Sequence, residues 1–282
     1  MSASSSERLP RYGVRVALSA EDDIAEAAET LGLLGYAVVD SGLSDEQISE
    51  LRQRFDALHA ANIERHGLER LTAANELDLV RTPLADDPLF LQLACNDKIL
   101  SLCERLIGPG FVLNQQNGII NPAGGREYSQ SAFHRDLPYQ HFVSSRPLAL
   151  NALFCLDPFT TQNGATYVAP ASHKQEAFPS DPVLLAQSRQ IEAPAGSFIV
   201  LDCMTYHRGG TNHTNSDRRA VNHVYTMAMM RQQIDLPAYL GDDFTSDPAI
   251  RQLLGFRHPT ARSVSEFIGL RTSNAPVPAG RK

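Results

Sequence analysis

The sequence predicts a mainly β protein: a double-stranded β-helix (jelly-roll, cupin-like) core buttressed by N-terminal α-helices. Three observations predict this. Helical periodicity occupies the first part of the chain. Past Phe111 the texture changes to short apolar runs punctuated by Gly, Pro, Asn and Asp. Helices do not alternate regularly with those runs, so an antiparallel sandwich or jelly roll fits better than a parallel sheet.

Each element has its own signal. Residues 1–20 read as a flexible leader, and MSASSSERLPRYG lacks the apolar core of a signal peptide. Residues 21–282 read as one domain, with the jelly-roll core at about 111–230, no internal repeat and no linker. EDDIAEAAETLGLLG has helical period and is closed by Gly35, and YAVVD follows as a short strand. Ser44 with Gln47 three residues on fits a capping box, opening the amphipathic helix SDEQISELRQRFDALHAANIERHG. A further helical pair spans about 87–107 and ends at GPG. FVLNQQNGIINP, RPLALNALFCLD, ATYVAP, GSFIVLD and AVNHVYTMAMM then read as strands. The tail from about 235 returns to helical and irregular character.

Composition excludes several classes. A chain of 282 residues can bury a substantial core. A net charge of −7 and the lack of any Lys/Arg block argue against nucleic acid as a partner. No run reaches the ~18 apolar residues of a membrane span, so no membrane partner is expected and the setting is read as cytoplasmic. Cys95, Cys103, Cys155 and Cys203 show no zinc spacing and are expected as small buried thiols in a reducing compartment. Oligomeric state is not readable.

The chemistry begins at SAFHRDLPYQ. His134 and Asp136 are two residues apart, so in an extended chain both point to one face. A third ligand must come from elsewhere. His207, in GSFIVLDCMTYHRGG, follows an apolar strand and precedes a Gly-rich turn. His173, His213 and His223 compete with it. His173 lies near a turn and reads as structural, and His213 lies in a polar, solvated turn. His223 alternates with Val221 and Tyr225 and could point inward. Two imidazoles and one carboxylate form the facial triad of non-haem Fe(II) oxygenases, leaving positions for a bidentate 2-oxo acid and O2. Arg218 stands eleven residues after His207, where the return strand begins, and could grip the far carboxylate of 2-oxoglutarate.

FHRD at 133–136, NGATYVAPASHK at 163–174, GSFIVLD at 196–202, and His207 with Arg218 resemble the phytanoyl-CoA dioxygenase family of Fe(II)/2-oxoglutarate oxygenases over roughly residues 28–230. Ala171 stands where that family often has Gly. The resemblance implies a jelly roll, Fe(2+), 2-oxoglutarate and O2, with succinate and CO2 as co-products. Halogenating relatives lack the HxD carboxylate, and Asp136 is present, so the implied activity is hydroxylation. The family spacing favours Arg218 over Arg219 as the 2-oxoglutarate anchor. It also implies cosubstrate contacts near Asn117, with Gln115 on the same face by alternation, and at Thr166.

Substrate contacts are expected among Tyr139, His141, Arg146 and Arg81, although Tyr139 and His141 read equally well as packing residues. Arg70, Gln140, Arg231 and Gln232 complete a polar and basic mouth suited to a small polar or anionic metabolite. Arg135 should face away from the metal. A cupin-type binding protein without catalysis, or a zinc protein with the same triad, is the alternative reading.

Overall fold

The N-terminal helices form where the sequence supplies caps. The computed structural model describes residues 12–13, 20 and 22–273. Apart from Tyr12, Gly13 and Ala20, the leader expected over 1–20 lies outside the described residues. Asp22 accepts a hydrogen bond from the Ala25 amide at 2.7 Å and opens α1 (Asp23–Leu34), which Gly35 closes at φ 82°. Strand β1 (Tyr36–Asp40) follows. Ser44 and Gln47 exchange both bonds of a capping box at the start of α2 (Asp45–His66). Then come α3 (Leu68–Ala73), β2 (Leu79–Arg81), α4 (Pro88–Ala94) and α5 (Asp97–Leu106).

The later strands are β3 (Val112–Asn121), β4 (Ala149–Cys155), β5 (Thr166–Val168), β6 (Arg189–Ile191), β7 (Ser197–Asp202), β8 (His207–Arg208) and β9 (Arg218–Thr226). Helices α6 (Asp181–Gln187), α7 (Leu236–Leu240), α8 (Pro248–Leu253) and α9 (Val264–Ser273) complete the described chain. Strand β2 carries no sequence signal because three residues are too few to show alternation. The strand expected through AVNHVYTMAMM ends early, at Thr226.

The strands form a six-stranded antiparallel sheet in the order β1-β7-β4-β9-β3-β2 and a three-stranded sheet β6-β5-β8. This is the jelly-roll core, and its two faces are chemically distinct. One face of the large sheet packs Leu150, Phe154, Phe198, Val221 and Tyr225 against Leu31, Phe55, Phe90 and Leu102 of the helices. The helices bury that face so fully that Gly118 has no room for a β-carbon, which would lie 2.4 Å from Phe55 Cε2. The other face joins Leu153, Cys155, Ile199, Leu201 and Ala220 to Val168 and Ile191 of the small sheet. Among the described residues no helix is long and apolar enough to cross a membrane. All four cysteines are free; Cys103, Cys155 and Cys203 are buried and Cys95 is partly so.

Candidate metal centre

Register decides which side chains meet between the sheets. On β9, Arg218, Ala220, Asn222 and Val224 face inward with Ile199 and Leu201, while Arg219, Val221, His223 and Tyr225 face the helices. The segment before β4 lies antiparallel to the chain entering β8. His134 and His207 exchange both backbone hydrogen bonds at 2.9 and 3.0 Å, and the Asp136 amide donates to the Cys203 carbonyl at 2.9 Å. Three side chains converge there. Asp136 Oδ1 lies 3.6 Å from His134 Nε2 and 3.5 Å from His207 Nε2, and candidate ligand atoms of all three lie within 4.8 Å of one another.

The hydrogen bonds around these groups prepare them for a metal. His134 Nδ1 faces the Ala132 carbonyl at 2.8 Å, and His207 Nδ1 faces that of Thr205 at 2.9 Å. A carbonyl only accepts, so each Nδ1 carries the proton and each Nε2 lone pair is free. Burial lowers the His207 pKa below its ordinary value, favouring the neutral, ligating form. Burial opposes charge on His134 too, but the neighbouring Asp136 carboxylate outweighs it and the pKa is raised. Burial alone would raise Asp136. The imidazoles of His207 and His134, with the Asn151 amide donating at 2.9 Å, instead bring it down to about 2.

Around the triad, polar groups remain without partners. Arg218 is 3 % exposed, and its guanidinium stacks 3.7 Å from the centre of the Phe159 ring. Its one side-chain hydrogen bond among the described residues is to Tyr128 Oη at 3.5 Å, and its Nε has none. Asn151 Oδ1 and Asn222 Oδ1 are likewise buried and unpaired. Unsatisfied buried polar atoms on one face imply a polar ligand that completes them. The buried guanidinium of Arg218 would suit an anionic group, such as one carboxylate of a 2-oxo dicarboxylate whose other end an ion at the triad would hold; the two amide oxygens, as acceptors, call for donors instead.

Other sequence-selected residues divide between the site and elsewhere. Asn117 and Gln115 lie on the site-facing side of β3, paired with Asn222 and Val224, and Thr166 lies on the same side of β5 as Val168. Arg219 is occupied on the opposite face, bonding Asp157 at 2.8 and 2.9 Å and Asp56 at 2.6 Å. Arg81 sits opposite Asn117, but its charge is answered by Glu76 at 2.5 and 2.7 Å. Tyr139 is exposed and stacks on Phe142, with His141 at its edge.

Three expectations need correction. Arg146 does not reach the triad: it donates to the Leu106 and Ile107 carbonyls at the end of α5, because that helix end leaves acceptors unpaired. Arg81, neutralised by Glu76, offers no free cation to an anionic substrate. His223 points to the helices, with Nδ1 on the Ala152 carbonyl and Nε2 on Gln116. Arg135 faces away from the triad as expected. It is buried and donates to the carbonyls of Gln140, Ser172, Gln175 and Glu176, fixing the loop after the HxD pair. His213 is exposed, and His173 packs beneath Gly35, where an added β-carbon would meet its Nδ1 at 2.6 Å.

A jelly roll that brings two imidazoles and one carboxylate together between its sheets defines a non-haem iron oxygenase class. The comparisons agree. The phytanoyl-CoA dioxygenase (PhyH) profile matches residues 33–220. The chain is 32 % identical over 248 residues to the uncharacterized protein Rv1501 of Mycobacterium tuberculosis, covering 86 % of this chain and 90 % of that one. It is 30 % identical over 258 residues to the iron/alpha-ketoglutarate-dependent dioxygenase ausO of Aspergillus calidoustus, covering 84 % of each. The solved non-heme monooxygenase ThoJ, as its nickel complex, shares the fold with a TM-score of 0.58 at 20 % identity, over 72 % of this chain and 78 % of that one. The chain belongs to the phytanoyl-CoA dioxygenase family. It is an iron- and 2-oxoglutarate-dependent dioxygenase, with Fe(2+) as cofactor and 2-oxoglutarate and O2 as cosubstrates.

Proposed function

We propose that this chain hydroxylates a small polar or anionic metabolite, converting substrate, O2 and 2-oxoglutarate to hydroxylated product, succinate and CO2. His134, Asp136 and His207 hold the iron, and Arg218 anchors the distal carboxylate of 2-oxoglutarate. The observation that carries this reading is Arg218 itself, a buried guanidinium that has no carboxylate partner among the described residues and lies on the same inner face as the triad. Bound Fe(2+) supplies O2 activation coupled to decarboxylation of the 2-oxo acid. The protein supplies orientation: backbone carbonyls fix both imidazole tautomers, Asn151 steadies Asp136, and Asn117, Gln115 and Thr166 border the cosubstrate.

A polar substrate is supported by Gln233, which bonds both Asn117 and Arg81 beside the site, and by Tyr139 and His141 on the loop after the HxD pair. A cytoplasmic setting accords with four free cysteines.

Iron content and substrate-stimulated succinate release test the reading. His134→Ala, Asp136→Ala and His207→Ala should each lose most bound iron and all turnover. Full iron retention and activity in His207→Ala would overturn the ligand assignment. Product-verified hydroxylation of a long-chain acyl-CoA, in a panel with sugar acids and N-acyl amino acids, would overturn the substrate class.

A further inference from the structure

A cavity of about 410 Å³ lies beside the edge strand β2. No residue of the triad lines it, and none of those bordering the cosubstrate does. Its walls come from α2, α3, β2 and the chain around α7. Leu58, Ala61, Leu71, Leu79, Val80 and Ile234 make them largely apolar. The volume falls in the range of about 300–1,000 Å³ typical of small-molecule sites, which combine apolar walls with a few placed polar groups.

Two polar groups of the lining lack partners. Thr82 is 3 % exposed, yet its hydroxyl makes no hydrogen bond among the described residues. Its backbone stands at φ 52° and ψ 52°, a left-handed conformation costly for a β-branched residue, and Pro83 follows it. The Thr82 amide donates to the Gln116 carbonyl and its own carbonyl accepts from Ala85, so the fold holds the strain and leaves the hydroxyl over. An outlier held in this way points to a function for the side chain it places. The charges add a second sign. Arg65 is answered by Asp86 at 3.0 Å and Arg81 by Glu76 at 2.5 Å. Arg70, the third guanidinium of the lining, has no carboxylate partner among the described residues. The cavity therefore joins apolar walls to one uncompensated positive charge and one buried, unengaged hydroxyl.

We propose that this cavity is a second binding site, taking a monocarboxylate with an apolar body. The walls hold the body, the exposed Arg70 pairs with the carboxylate, and the Thr82 hydroxyl donates to a ligand oxygen. A second negative charge on the ligand would meet only Glu76 and Asp86 with cations already engaged, and a cationic ligand would meet Arg70, so neither suits the lining. Such a site is independent of the iron reading above.

Octanoate is the probe, titrated calorimetrically into the full chain, metal-free and again anaerobically with Fe(2+) and 2-oxoglutarate bound. It should bind saturably with a Kd below about 5 mM, equally in both forms, and octan-1-ol and octylamine should bind at least about ten-fold more weakly. Arg70→Ala and Thr82→Val should each weaken octanoate about five- to ten-fold. Thr82→Ser, which keeps the hydroxyl, should bind as the wild type does, and Ala61→Phe, which fills the cavity, should abolish binding. His134→Ala should leave octanoate binding unchanged. Absence of saturable binding, displacement by 2-oxoglutarate, loss in His134→Ala, or binding that persists in Arg70→Ala, Thr82→Val and Ala61→Phe alike would overturn the inference. Melting checks that each variant is folded, and the exposed Arg70 position tests the charge even if Thr82→Val unfolds.

Discussion

Replacing Arg218 by Met should make the ligand-free protein more stable while nearly abolishing its affinity for 2-oxoglutarate. Arg218 is 3 % exposed and, among the described residues, its guanidinium bonds one side chain, Tyr128 Oη at 3.5 Å, and leaves Nε unpaired. Burial lowers its pKa, the sign of a charge held without adequate compensation. Stacking on Phe159 at 3.7 Å recovers part of the lost hydration. Met fills similar space without charge, and exchanges of buried ionic groups for apolar ones have stabilised proteins by about 1–4 kcal/mol. Taking about 1–3 kcal/mol, the melting temperature of the metal-free protein should rise by roughly 2–10 °C. Removing one partner of a buried charge pair costs about 2–5 kcal/mol in binding, so 2-oxoglutarate should weaken by thirty-fold to several thousand-fold. Arg219→Met is the contrast. It breaks the bonds to Asp157 and Asp56 and should lower stability while sparing 2-oxoglutarate binding. Thermal melts and calorimetric titration read both quantities. A destabilised Arg218→Met, or one that binds 2-oxoglutarate normally, would show that this cation is structural and refute the reasoning.

Two further outcomes concern stability alone. Ala171 has φ 61° and ψ 6°, a left-handed conformation that disfavours a β-carbon, so Ala171→Gly should stabilise by about 0.5–1 kcal/mol in chemical denaturation; a loss would show that the methyl group packs usefully. Burial raises the Asp202 carboxyl from the ordinary 3.8 to about 6, so the folded state keeps a proton that the unfolded chain releases between those values. Ionised Asp202 thus penalises the fold above pH 6, by at most about 3 kcal/mol, and the penalty disappears as pH falls towards 4. Asp202→Asn, which can still accept from the Met204 amide, should be about 1–3 kcal/mol more stable than wild type at pH 8 and nearly equal at pH 4. Denaturation midpoints that differ equally at both pH values would contradict this.

Much of the architecture was local and therefore legible. The Ser44 capping box, the α1 stop at Gly35 and the strand texture after Phe111 each depend on residues within a few positions of one another, and each appears as expected. The pairing of His134 with Asp136 was legible for the same reason, since side chains alternate every two residues. The departure at Ala171 was visible as well, but only the backbone shows that the position is left-handed.

The sequence by itself determined the jelly-roll class, the HxD pair and a short roster of histidines and arginines that could complete a centre. Tertiary structure decided among them. His207 reaches Asp136 because β8 pairs with β5 and with the HxD segment, whereas His223 alternates onto the helix-packed face. Arg218 and Arg219 are adjacent in sequence, yet one enters the site and the other meets Asp157 and Asp56. Arg81 and Arg146 looked available until Glu76 and the end of α5 supplied partners. The physical reason is common to all of these cases. Local sequence fixes the alternation of a strand, but which alternate faces the reaction centre depends on hydrogen-bonded register between segments up to about a hundred residues apart, and a one-residue slip inverts the choice.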